Sequence, residues 1–95
     1  MPERRDRDAC GNAYDALESA AKTKYNMPNA TFGDVLTAVS RQGALNGATV
    51  RLLRAVEVFG HNTFRHGRIE PFNCGPVEVD FVFTTCVTGI LVFAR

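Results

Sequence analysis

Apolar residues recur with a helical period through most of this chain. Ala13, Leu17, Ala20, Ala21 and Tyr25 are spaced as one face of a helix, which the stretch Asn26-Met27-Pro28-Asn29 then breaks. Thr31-Phe32-Gly33-Asp34 predicts a second helix start. The Thr31 side chain can accept from the backbone N–H three residues on, and Asp34 can answer the Thr31 N–H, a capping box with Asp in place of Glu. Phe32, Val35, Leu36 and Val39 follow at i, i+3, i+4 and i+7, and Gln42-Gly43 closes the element. Asn46-Gly47 is either a tight turn or the cap of the next helix.

The third segment, from Ala48 to about His66, has two faces on a helical wheel. Leu52, Leu53, Val56, Phe59, Gly60, Thr63 and Phe64 share an apolar arc, while Arg51, Arg54, Val58, His61, Asn62 and Arg65 take the other, with His66 at its edge. Gly67 stands where a helix C′ residue would, and Pro71 lies beyond. Residues 67–76 read as a loop. Val77–Phe93 satisfies two periods at once: "VEVDFVF" alternates like a strand, yet Val82, Thr85, Cys86, Gly89, Ile90 and Phe93 line one helical face. Its length and the Gly75-Pro76 entry favour a helix. The expected fold is therefore all-α, a small four-helix bundle. The alternative is an α+β domain whose residues 77–94 form a C-terminal hairpin turning near Thr84-Thr85.

Composition narrows the class more than the function. Residues 1–95 make one domain, with residues 1–9, all charge and nothing to bury, expected as a mobile tail. Hydrophobic content of 45% and charged content of 22% are those of a globular chain. A chain this short has a modest core, which favours a homodimer. The net charge of +1 supplies no global basic excess, so any polyanion site must be a local patch. The three cysteines, Cys10, Cys74 and Cys86, form no CxxC pair and are expected as reduced thiols in a cytoplasmic protein. The charged N-terminus has no apolar stretch behind it, so it is not expected to be a secretory signal. The apolar run from Phe81 to Ala94 is short for a bilayer, which points to a core helix and no membrane.

The chemistry is concentrated in Gly60-His61-Asn62-Thr63-Phe64-Arg65-His66-Gly67, which holds both histidines of the chain. Two imidazoles among arginines are the parts needed to cut RNA without a metal or other cofactor. A neutral imidazole takes a proton from a ribose 2′-OH, and a protonated one gives a proton to the leaving 5′-oxygen. Arginine holds the phosphate and offsets charge on its oxygens. His66, His61 and Asn62 are the catalytic candidates, and Arg51, Arg54 and Arg65 the phosphate- or RNA-binding ones. On one helix Asn62 and His66 can touch, whereas His61 and His66 diverge, so a symmetric dimer would be needed to bring both upon one phosphate. The same residues also suit the wet end of a helix, where cations meet the macrodipole. No metal set is expected: Glu57, four before His61, is the single carboxylate at helical spacing to it.

Two helices, an amphipathic third ending in "HNTFRHG", a proline-bearing loop and a final apolar helix resemble the HEPN superfamily of helical domains, found in toxin–antitoxin and abortive-infection systems. The family pattern is Arg-Asn, three residues, His, then often Gly. Asn62, His66 and Gly67 match its Asn, His and Gly, and His61 occupies the position of its arginine. The resemblance spans roughly residues 13–94. It implies a homodimer whose motif helices face each other across a cleft, an RNA target, a cognate protein partner and metal-independent endoribonuclease activity, or a non-catalytic RNA-binding or scaffolding role. The rival expectation is a protein-interaction or dimerisation module, possibly a small viral or phage protein, whose polar stripe is a solvated face.

Overall fold

The computed structural model describes residues 2–65 and 75–94, and the side chains of residues 8–63 and 75–94. The described residues form an all-α bundle: α1 (Pro2–Lys24), α2 (Phe32–Gln42), α3 (Gly47–Gly60) continued by a π-helical turn (His61–Arg65), and α4 (Pro76–Ala94). The segment that reads ambiguously between strand and helix is helical throughout. Its face of Cys86, Gly89 and Phe93 is buried, with Val82, Thr85 and Ile90 half-buried beside it. Continuous β-branched and aromatic residues suit a strand locally, but here packing along α1 satisfies the helical period instead.

The stretch read as a tail has a helical backbone. Residues 2–9 belong to α1, which starts at Pro2. Proline is well placed at a first helical position, where its missing N–H costs no bond, and Glu3, the three arginines and Ala9 are good helix formers even with no apolar face.

Helix ends are closed as the residues dictate. Asn26 lies in the left-handed region (φ 54), its N–H donates to the Thr23 carbonyl at 3.2 Å, and the Met27 N–H donates to the Lys22 carbonyl at 2.9 Å. Gly43 (φ 67) closes α2 in the same way: its N–H reaches the Ser40 carbonyl, and the Ala44 N–H reaches the Val39 carbonyl, both at 3.2 Å. These are Schellman motifs, which pair carbonyls that the helix leaves open. At the start of α2 the capping box is complete: Asp34 N–H donates to Thr31 Oγ1 at 3.1 Å, and Thr31 N–H to Asp34 Oδ2 at 3.4 Å. Asn46 caps α3, accepting from the Ala48 N–H at 2.7 Å.

The core is built from α1 outward. Ala13, Tyr14, Leu17 and Ala21 on α1 meet Phe32, Val35, Leu36 and Val39 on α2, Val50 and Leu53 on α3, and Cys86 and Phe93 on α4. α1 packs along α4 and against α2, while α3 lies on α2. Four rings form an edge-to-face chain through the centre, Tyr14–Phe32–Phe93–Tyr25, with centroids 6.1, 6.4 and 6.1 Å apart. Each such pair adds about 0.5–1.5 kcal/mol beyond burial.

Two glycines set how closely helices approach. At Gly60 a Cβ would fall within the ring of Tyr14, so α3 rests directly on that ring. At Gly89 a Cβ would meet Leu17 Cδ1 at 2.9 Å, the end of a side chain that can turn aside. The Gly60 contact rotates α3 relative to the expected wheel. Val50 and Leu53 are buried, but Leu52, placed on the apolar face by its spacing, is 71% exposed.

Candidate functional site

The third helix does not run as a regular α-helix through the histidine segment. α3 ends at Gly60, and His61–Arg65 form a π-helical turn. The His61 N–H still donates to the Glu57 and Val58 carbonyls, and the Tyr14 hydroxyl donates to the same Glu57 carbonyl at 3.3 Å. Tyr14 therefore both seats Gly60 and holds the carbonyl at the junction where the α-helical register is lost. π-Helical turns of this kind are rare and recur at functional sites, because the widened turn re-aims the side chains that follow. Nothing in the hydrophobic period of the sequence marks it. The one local sign is a glycine directly before the cluster, at the point where the chain presses on an aromatic ring.

His61 is exposed and stands at a cleft of about 330 Å³ lined by Tyr14, Glu18, Thr31, Phe32, Gly33 and Glu57. The walls come from the middle of α1, the capped start of α2 and the last turn of α3. Glu57 precedes His61 by one turn, and Glu18 approaches from α1, where it also pairs with Lys22 at 3.3 Å. The cleft thus joins an imidazole, two carboxylates, a phenol and a helix N-terminus. Carboxylates beside an imidazole can orient its ring through a hydrogen bond. They also oppose an incoming phosphate.

The candidate residues separate in space. Arg54 reaches across to α2, where its Nη1 donates to the Gly33 carbonyl at 3.1 Å and its Nη2 to Thr37 Oγ1 at 2.6 Å. Thr37 itself donates to the Gly33 carbonyl at 3.0 Å, so the guanidinium closes a small network that ties α3 to the first turn of α2. Arg51 is exposed on α3 and does not line the His61 cleft. Asn62 is half-buried, and Thr63 is buried, as its spacing predicts. Arg65 closes the π-helical turn with its backbone, while its side chain lies outside the described residues. His66, Gly67 and Cys74 lie outside the described residues altogether. Sequence reasoning overlooked Tyr14 and Glu18, because their spacing on α1 marks them only as a core residue and a surface charge.

Arg54 therefore has a measurable structural role. Arg54→Ala is expected to lower stability by about 1–2 kcal/mol, from two hydrogen bonds to a charged and half-buried donor. Chemical denaturation checks it, and a midpoint within error of wild type would show that the bonds to Gly33 and Thr37 carry no net stability.

Both described thiols are buried. Burial, reinforced by neighbouring Cys10, pushes the Cys86 thiol up to about 11, so it stays protonated at neutral pH. The Cys10 thiol donates to the Val79 carbonyl at 3.8 Å. Among the described residues no group of three His, Cys, Asp or Glu side chains is placed to hold a metal ion. No protein-family model matches the chain, and neither a characterised protein nor a solved structure does.

Proposed function

We propose that the chain is a HEPN-like, RNA-directed domain that acts as a metal-independent endoribonuclease, or as a non-catalytic relative, in a cytoplasmic defence or toxin-type system with a cognate protein partner. The observation that carries this reading is the π-helical turn over His61–Arg65. The turn widens the helix at the start of the cluster, and His61, which opens it, stands at the cleft. His66 is five residues further on in sequence and lies outside the described residues, so the turn supports this scheme through His61. In that scheme His66 is the acid or base, His61 the second proton-handling group in the place of the family's arginine, and Asn62 orients the substrate. Arg51 and Arg65 supply the phosphate contacts, and Arg54 does so only by giving up its bonds to α2.

The test is incubation of the full chain with end-labelled RNA in excess EDTA, alongside His66→Ala and His61→Ala. Cleavage by wild type with 2′,3′-cyclic phosphate ends, reduced about 10²–10⁴-fold by either substitution, is the expected result. RNA that stays intact with all three proteins, at concentrations where they remain folded, rejects catalysis. A second reading, a non-catalytic protein-interaction module, is favoured by Glu18 and Glu57 in the His61 cleft, where they repel a polyanion. RNA binding weaker than that to a neutral polymer would select it.

A further inference from the structure

From Phe81 onward α4 carries no charge, and among the described residues α1 covers only one side of it. Val77, Phe81, Phe83, Val87 and Leu91 are exposed, Val77 and Phe81 to 81% and 72%. The outward positions 77, 81, 84, 88 and 91 step by four and three, the spacing of a coiled-coil seam. We propose that this stripe pairs with the same stripe of a second copy, the two α4 helices running antiparallel about a twofold axis at Thr84. This inference does not rest on the RNA reading, and it uses a different helix from the motif helix through which the HEPN resemblance implies pairing.

Three observations choose this occupant. The first is area. The five exposed side chains present on the order of 500 Å² per chain, given ~200 Å² for a whole aromatic side chain. Two copies then bury at most about 1,000 Å², the floor of the range for a specific interface. The second is complementarity. With Thr84 on the axis, Phe81 shares a layer with Val87 of the second copy, and Val77 with Leu91 of the second copy, so these four side chains gain apolar neighbours, while Phe83 lies at the flank, level with Thr85 of the second copy. Antiparallel pairing also separates the two Asp80 carboxylates by about 12 Å along the helix axis, whereas parallel pairing would set them face to face. The third concerns the competing occupant, a bilayer. α4 is long and apolar enough to cross one by length and composition, with a mean hydropathy of 1.8. Its charge-free run, Phe81–Ala94, however, spans only about 21 Å, short of the ~30 Å hydrocarbon core. The helix packed along α4, α1, exposes Asp8 and Asp15 and half-exposes Glu18 and Lys22, a face no lipid tail accepts.

Sedimentation equilibrium of the full chain tests the pairing, with Phe81→Glu and Leu91→Glu as variants. Both residues are exposed, so helicity by circular dichroism should be unchanged. Wild type is expected at twice the chain mass of 10.4 kDa, and each variant at that mass. Orientation is read by air oxidation in a Cys74→Ser background. Thr84→Cys should give a disulfide-linked dimer, and Val77→Cys, about 21 Å from its copy, should not. A monomeric wild type overturns the proposal, as does a dimer that both glutamate variants leave intact, or linkage through Val77→Cys alone. Flotation of wild type, but not Phe81→Glu, with phosphatidylcholine vesicles overturns it too, by giving the stripe to lipid.

Discussion

Leu17→Ala is expected to cost about 3–4 kcal/mol and to lower the thermal midpoint by roughly 12–32 °C. Leu17 is fully buried on α1, and its terminal methyls lie over Gly89 of α4. The truncation leaves a cavity between two helices whose other contacts are already fixed. Collapse is hindered because Tyr14 and Ala21, one turn to either side, are themselves buried against other elements. A domain of this size has only about 5–10 kcal/mol in total, so much of its stability goes at once. Thermal unfolding followed at 222 nm measures it. A loss under about 1 kcal/mol would mean that α4 shifts to fill the gap, and that the α1–α4 contact is far softer than its burial indicates.

Gly60→Ala is expected to lose about 2 kcal/mol net. Alanine gains ~1 kcal/mol over glycine in a helix, so a purely local account predicts stabilisation. The Tyr14 ring reverses the sign, because the new methyl group has nowhere to go and overpacking costs about 1–3 kcal/mol or more. The distinguishing measurement is a double-mutant cycle. In a Tyr14→Ala background the ring is gone, and Gly60→Ala should become neutral or stabilising, with a coupling of about 2 kcal/mol. Additive effects would show that the glycine is there for another reason. The same substitution also bears on function: pushing Tyr14 aside removes a wall of the His61 cleft and the hydroxyl that holds the Glu57 carbonyl.

These two positions also mark what was legible in the sequence. α2 could be read almost residue by residue, because its cap, its apolar stripe and its terminal glycine are local signals that tertiary packing then reinforced. The inward face of α4 was legible as one of two readings, and the structure decides for the helix over the hairpin. α1 was foreshortened in the reading, since helix propensity without an apolar period leaves no pattern to follow. α3 was legible in kind but rotated in detail. Leu52 and Val50 are equally good core residues by composition, and the choice between them is made by the contact of Gly60 with Tyr14, forty-six positions apart in sequence. The candidate site suffered most. A wheel with a fixed angle cannot represent a π-helical turn, and Arg54, a phosphate ligand by its type, has its hydrogen bonds committed to α2.

The pairing of α1 with α4 also orders events on the ribosome. The first helix made has its longest interface with the last of the described helices, and the residues from Lys24 to Pro76 must be synthesised between them. At ~5–20 residues per second that is roughly 3–10 s during which Leu17 has no α4 to cover it. A nascent chain in this state presents the apolar side of α1 to α2 and α3 only, and offers a holdase chaperone a defined target until Gly89 and Phe93 arrive. Because the closing contact joins distant parts of the chain, loop closure rather than helix formation should set the folding rate.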